Sequence, residues 1–210
     1  SSVDGSLQRL QTDYLDILLL HRPDPLVEPE EVARAFDELQ RNGKVRYFGI
    51  SNHTAGQIAL LKKYLNQPLI ANQVELNLLH NHLINDGVST NIQGGPAPAV
   101  AGTLDYCRAN DIMIQAWAPV ANGRLIDPPA DAAEKVLNTV KIITALAEEK
   151  STSKEAIVLA WLLRHPAGIQ PIIGTVNPQR IIASSQADQV MLSREEWYSL
   201  FTAARGKAVP

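Results

Sequence analysis

The sequence predicts an α/β protein built from successive βα units around a parallel sheet, and three observations carry that expectation. Short Leu-rich or β-branched runs alternate with segments whose apolar residues recur at three and four positions. Residues suited to binding stand at the ends of those runs: His21, Ser51 with Asn52, Gln73, Trp117, and Gly174 with Thr175. No GxGxxG follows any strand, so the phosphate loop of an open dinucleotide-binding sheet is missing. Five parallel strands fit either an open doubly wound sheet or part of a (β/α)8 barrel, whose functional rim lies at the C-terminal ends of its strands.

The elements follow in order. Asp16 to Leu20 (DILLL) reads as the first clear strand, then a Pro-rich loop, HRPDPLVEP, and a helix with Val32, Phe36 and Leu39 on one face, ended at Gly43. Arg46 to Ile50 is the second strand. Thr54 and Gln57 then form a capping box for a helix carrying Ile58, Leu61 and Leu65. Ile70 to Leu76 is the third strand. Residues Asn77 to Gly102, with NDG, GG and two prolines, read as a long surface loop. A short helix from Thr103, with Leu104 and Cys107 inward, leads to a fourth strand from Ile112 to Ala118.

Two helices come next, around Val136 to Glu149 and from Ser153 to Arg164, the second stopped by Pro166. The fifth strand, Ile169 to Ile173, runs into GTVNP, where Asn177 can cap and Pro178 can open a helix through Ala187. Ser193 with Glu196 forms a second capping box, for a last helix that buries Trp197, Leu200 and Phe201. With no internal repeat or low-complexity tract, residues 1–210 read as one domain.

Composition bounds the function. The 210 residues are 45% hydrophobic and 20% charged, an ordinary globular mixture able to form a sizeable core. Nineteen Lys and Arg against 22 Asp and Glu leave a net charge of −3, without the basic excess that a nucleic-acid partner requires. The longest apolar run, Ala156 to Leu163, falls far short of the roughly 20 residues that span a bilayer, so no membrane partner is expected. Cys107 is the single cysteine, which excludes an internal disulfide and fits a cytoplasmic location. His80 and His82 in HNH lack a third ligand at helpful spacing, so no metal site is expected. Oligomeric state and the identity of the substrate are not written in these residues.

Five ordered segments resemble the aldo-keto reductase family, and the likeness runs over essentially the whole chain. SLQRLQTDYLDILLLH resembles the family's helix and strand that end on an active-site histidine, here His21. GKVRYFGISN is similar to the strand ending on the Ser-Asn pair that hydrogen-bonds the nicotinamide carboxamide, here Ser51 and Asn52, and IANQVELN to the strand whose glutamine, here Gln73, meets the same amide. AWAPV resembles the strand that stacks an aromatic ring on the nicotinamide, with Trp117 where Tyr is usual; Ala118, Pro119, Val120 and Gly123 follow it as cofactor-side residues. IQPIIGTVNPQRI looks like the phosphate segment, with Gly174, Thr175, Asn177 and Arg180 at the cofactor and Thr175 and Arg180 placed for the adenosine 2′-phosphate.

The resemblance implies an NADP(H)-dependent oxidoreductase that interconverts a small carbonyl compound and its alcohol. Physical sense agrees with these roles. A carboxamide in a dehydrated site needs donors and acceptors, a flat ring fixes the nicotinamide plane, and an anion favours a helix N-terminus, whose N–H groups are expected to be free for it, beside an Arg fork. Ala183 and Ser184 stand where the family often has Glu and Asn for adenine, and Gly174 where some branches have Lys, so NAD(H) remains open beside NADP(H). Of the family's Asp, Tyr, Lys and His set, only the histidine has a match. The likeness therefore implies strands 4 to 8 of the barrel, with the first three βα units expected before Ser1 and little turnover from these 210 residues alone. The alternative is a non-catalytic relative that only binds cofactor, or a barrel fragment.

Overall fold

A computed structural model describes residues 2–90, 92, 100 and 102–210. The chain divides into two compact units, Ser1–Gln73 with Asp105–Met113 and Val74–Leu104 with Ile114–Pro210.

In the first unit, α1 (Ser2–Leu10), β1 (Leu15–Leu20), α2 (Pro29–Arg41), β2 (Val45–Ser51), α3 (Ala55–Lys62) and β3 (Leu69–Glu75) alternate as expected. β2 pairs in parallel with β1 on one side and β3 on the other. Pro29 opens α2, where its missing N–H costs nothing, Glu30 and Glu31 sit in the first turn and Arg41 in the last, favourably for the helix dipole. Gly43, at φ 68°, then turns the chain back into β2. Phe36 on α2 stacks on Phe48 on β2 with ring centroids 3.9 Å apart, and with Ile50, Ile58 and Leu61 they make the buried layer between sheet and helices. The Thr54–Gln57 capping box forms as expected, the Thr54 hydroxyl accepting from the Gln57 N–H and the Gln57 side-chain Oε1 from the Thr54 N–H. The helix stops at Lys62, so Leu65 falls beyond it.

β2 and β3 do not run in even register. Phe48 pairs with Leu69, but Ile50 pairs with Asn72, so one extra residue on β3 faces Gly49. Such a bulge bends the strand and re-aims the side chains beyond it. Gly49 admits it: a Cβ there would lie 2.8 Å from the carbonyl oxygen of Ala71.

The second unit holds α4 (His82–Val88), β4 (Met113–Trp117), α6 (Glu134–Glu149), α7 (Lys154–Leu163), β5 (Gln170–Ile172), α8 (Pro178–Ser185) and α9 (Arg194–Arg205), while α5 (Thr103–Ala109) precedes β4 and buries Leu104 and Cys107. β4 and β5 are parallel. Ala156 through Leu162 are all buried, so the longest apolar run of the sequence is a core helix. Trp161 stacks on Trp197 at 5.1 Å, and the Trp197 indole N–H donates to the Trp161 carbonyl. That tether leaves Trp197 half-buried, where full burial was expected.

The long-loop expectation for Asn77 to Gly102 is corrected in part. His82–Val88 is helical despite its NDG, because tertiary partners take up its polar side chains: Asn85 accepts from Arg205 at 2.6 Å and Asp86 from the Val100 N–H at 2.7 Å. Residues 91, 93–99 and 101 of that stretch lie outside the described residues. The helix expected to reach Ala187 ends at Ser185, and a 3-10 turn over Gln186–Gln189 tucks Ala187 against Ala156 and Leu159.

Candidate functional site

In the first unit the expected residues converge on one tight turn. Ser51, the last residue of β2, donates its hydroxyl to the carbonyl of Gln73 at 2.7 Å and accepts from the Asn52 side-chain amide at 2.9 Å. A hydroxyl has one donor and two lone pairs. Among the described residues, the capacity left on Ser51 is therefore that of an acceptor. Asn52 sits at φ 60°, a left-handed conformation that Asn tolerates better than most residues. Its backbone N–H donates to the Gln73 carbonyl at 2.9 Å and its side chain reaches the carbonyl of His21 at 3.4 Å. The turn thereby ties Ser51 and Asn52 to the main-chain carbonyls of His21, just after β1, and of Gln73, in β3.

His21 is exposed and lines a cavity of about 310 Å³ with Arg22, Asp24, His53 and Gln57 over the apolar Leu20, Val27, Val32, Leu60 and Leu61. His53, adjacent to the expected site residues, is buried, and its Nδ1 lies 2.9 Å from the Ser51 carbonyl. A carbonyl only accepts, so Nδ1 carries the proton. Burial holds the imidazole below its ordinary pKa, opposed by that hydrogen bond.

In the second unit, Ala118, Pro119, Val120, Gly123, Gly174, Thr175 and Arg180 line a cavity of about 750 Å³, with Asn122, Arg124, Ile126, Asp127 and Glu155. The volume lies within the usual range for small-molecule sites, roughly 300–1,000 Å³. Its wall is strained: Ala118 and Asn122 have positive φ, as does the buried Ala121 between them. For a residue with a Cβ this costs about 1 kcal/mol or more, and such costs gather where geometry serves function. The Asn77 side chain holds the Ala118 carbonyl at 3.0 Å, and the Lys154 ammonium holds that of Ile126 at 2.6 Å. Trp117, at the end of β4, is half-buried beside this wall.

The phosphate segment carries one correction. Asn177 caps α8 as expected, but its side chain accepts from the N–H groups of both Gln179 and Arg180, at 2.9 and 3.3 Å. These are amides the helix N-terminus was expected to offer an anion. What faces the cavity instead is the Thr175 hydroxyl, which accepts from the Asn177 N–H at 3.2 Å, and the Arg180 guanidinium, without a hydrogen-bond or ion-pair partner among the described residues.

Sequence reasoning placed none of Gly49, Asn72 and His53 at the site. Asn72 adjoins Gln73, and polar identity inside an apolar strand was its only signal; the bulge that aims it has no mark of its own in the sequence. No described helix is long and apolar enough to cross a membrane.

Comparison with known proteins identifies the family. The chain is 38% identical over 210 residues to the uncharacterized oxidoreductase YcsN of Bacillus subtilis, an alignment covering 100% of this chain and 64% of that relative. It is 34% identical over 208 residues to the 6-dehydroglucose reductase of Agrobacterium fabrum, covering 99% and 63%. The crystal structure of the thermostable aldo-keto reductase Tm1743, bound to the inhibitor epalrestat, superposes with a TM-score of 0.76 at 26% identity, over 96% of this chain and 64% of that one. The chain thus spans less than two thirds of the length of these relatives. The Aldo/keto reductase family profile matches residues 1–203, and the chain belongs to that family.

Proposed function

We propose that this chain serves an NADP(H)-dependent reductase of small aldehydes or ketones, with its five strands as strands 4 to 8 of the family barrel, in a reducing, cytoplasmic setting. The order of the five motifs supports the strand assignment. The observation that carries the functional reading is the Ser51–Asn52–Gln73 turn, where Ser51 has spent its proton on Gln73 and retains a lone pair for an amide N–H.

The residues fit the cofactor. Ser51, Asn52 and Gln73 would hold the carboxamide, and Trp117 would supply a flat ring for the nicotinamide. Ala118, Pro119, Val120 and Gly123 would line the cofactor site, and Gly174, Thr175, Asn177 and Arg180 would serve its phosphate end. The bound nicotinamide supplies a hydride to the substrate carbonyl. His21 orients the carbonyl oxygen and donates to it as charge develops there. Arg180 favours the 2′-phosphate of NADP through a charged, two-pronged contact.

The proton required by the resulting alkoxide comes from a general acid, which typically contributes 10²–10⁴-fold. Residues 1–210 contain no match for the family's Tyr, Lys and Asp, so turnover by these residues alone is expected to be low. The same fact supports a second reading, a chain that binds the cofactor without reducing anything. Titration of NADPH fluorescence followed by an aldehyde-reduction assay of the full gene product separates the two. Absence of NADPH binding overturns both readings, and binding without turnover leaves the second.

A further inference from the structure

Asn72 is completely buried next to the candidate cofactor residues, yet has no part in the machinery described so far. Its side-chain amide grips both peptide groups of His53, donating from Nδ2 to the His53 carbonyl at 2.9 Å and accepting the His53 N–H on Oδ1 at 3.4 Å. An amide side chain so placed substitutes for the backbone of a neighbouring strand at the point where β2 has ended. His53 in turn donates from Nδ1 to the Ser51 carbonyl, and Gln73 takes the Asn52 N–H on its carbonyl. Every peptide flanking Asn52 is thus fixed, and fixed from β3. The extra residue opposite Gly49 sets Asn72 level with Ile50 and Gln73 level with Ser51, so one bulge supplies both the clamp and the residue it serves.

We propose that Asn72, acting through His53, is a positioning residue that holds the Ser51–Asn52 turn in its left-handed, carboxamide-ready conformation. The inference rests on the reading that this turn holds the nicotinamide amide. Without the clamp, Asn52 relaxes toward negative φ, and its side chain leaves Ser51 and the His21 carbonyl. The effect falls on the nicotinamide end of the ligand alone, because the phosphate end belongs to other residues.

The test compares two ligands on the full-length protein, NADPH and adenosine 2′,5′-bisphosphate, which lacks the nicotinamide. Asn72→Leu, close in size but without hydrogen bonds, weakens NADPH on the order of tenfold and leaves the bisphosphate unchanged. Asn72→Asp preserves the shape and the acceptor for the His53 N–H while losing the donor. It shows the same selective loss and serves if the leucine variant fails to fold by circular dichroism. Equal weakening of both ligands, or of neither, in a folded variant overturns the positioning role while the cofactor reading stands. A wild-type protein that binds NADPH no tighter than the bisphosphate overturns the reading itself, and the inference with it.

Discussion

Replacing Gly49 with alanine tests the bulged strand pair on which the site is built. A Cβ at position 49 would stand 2.5 Å from Cδ2 of Leu19, 2.8 Å from the carbonyl oxygen of Ala71 and 3.3 Å from its nitrogen. The Leu19 methyl can swing aside; the Ala71 carbonyl is part of β3 and moves only with the strand. Restoring ordinary contact requires β2 and β3 to part by about half an ångström, and overpacking of this kind costs about 1–3 kcal/mol. Against it stands the roughly 0.4–1 kcal/mol that Gly→Ala contributes by restricting the unfolded chain. The net expectation is a loss of about 1–2 kcal/mol, or a melting temperature lower by several degrees at roughly 2–4 °C per kcal/mol for a chain of this size. Gly56→Ala is the control, because a Cβ there meets nothing within 4 Å and the residue lies in α3. It is expected to stabilise by about 0.5 kcal/mol from helix propensity. Urea unfolding of both variants supplies the comparison. A Gly49→Ala protein as stable as wild type would refute the claim that the Ala71 approach requires glycine.

Three further expectations concern charge. Burial lowers the His53 pKa below the ordinary 6.5, so below that pH the unfolded chain binds more protons than the folded one and stability falls as pH decreases toward the folded value; thermal melts of His53→Gln between pH 7 and 5 should show a shallower slope. Burial alone would raise the Glu196 pKa, but the hydrogen bonds from Lys150 and the Ser193 N–H outweigh it and lower it. Glu196→Ala should therefore cost about 1–2 kcal/mol at pH 7, a penalty that shrinks as pH falls below 4.5 and the wild-type carboxylate takes up its proton. Arg180→Ala should weaken NADPH about ten- to a hundredfold, as loss of a charged hydrogen bond does, with little change for NADH; equal weakening of the two would remove Arg180 from the 2′-phosphate.

Much of the fold was legible because its signals are local. The capping boxes at Thr54 and Ser193, Pro178 at a helix start and Gly43 at a helix end are short-range hydrogen-bond and dihedral preferences, and each marks its element. The candidate residues were legible for a related reason: they occupy strand ends in a fixed order. At α4 reading failed because distant partners decided: the helix forms across an NDG because Arg205 and the Val100 N–H take up its polar side chains. At Asn177 the competitor was local, since the cap itself takes up the amides two and three residues on that were expected to be free for a phosphate.

By itself, then, the sequence determined which segments become strands and helices, and which side chains stand at the strand ends, since period, caps and turn residues act within a few positions. The register of β2 against β3 was left to tertiary structure. Pairing energy depends on which carbonyl meets which N–H across two strands, and neither strand records that alone. One extra residue opposite Gly49 sets that register, aims Asn72 at His53, and brings Ser51, Asn52 and Gln73 into a single hydrogen-bonded turn.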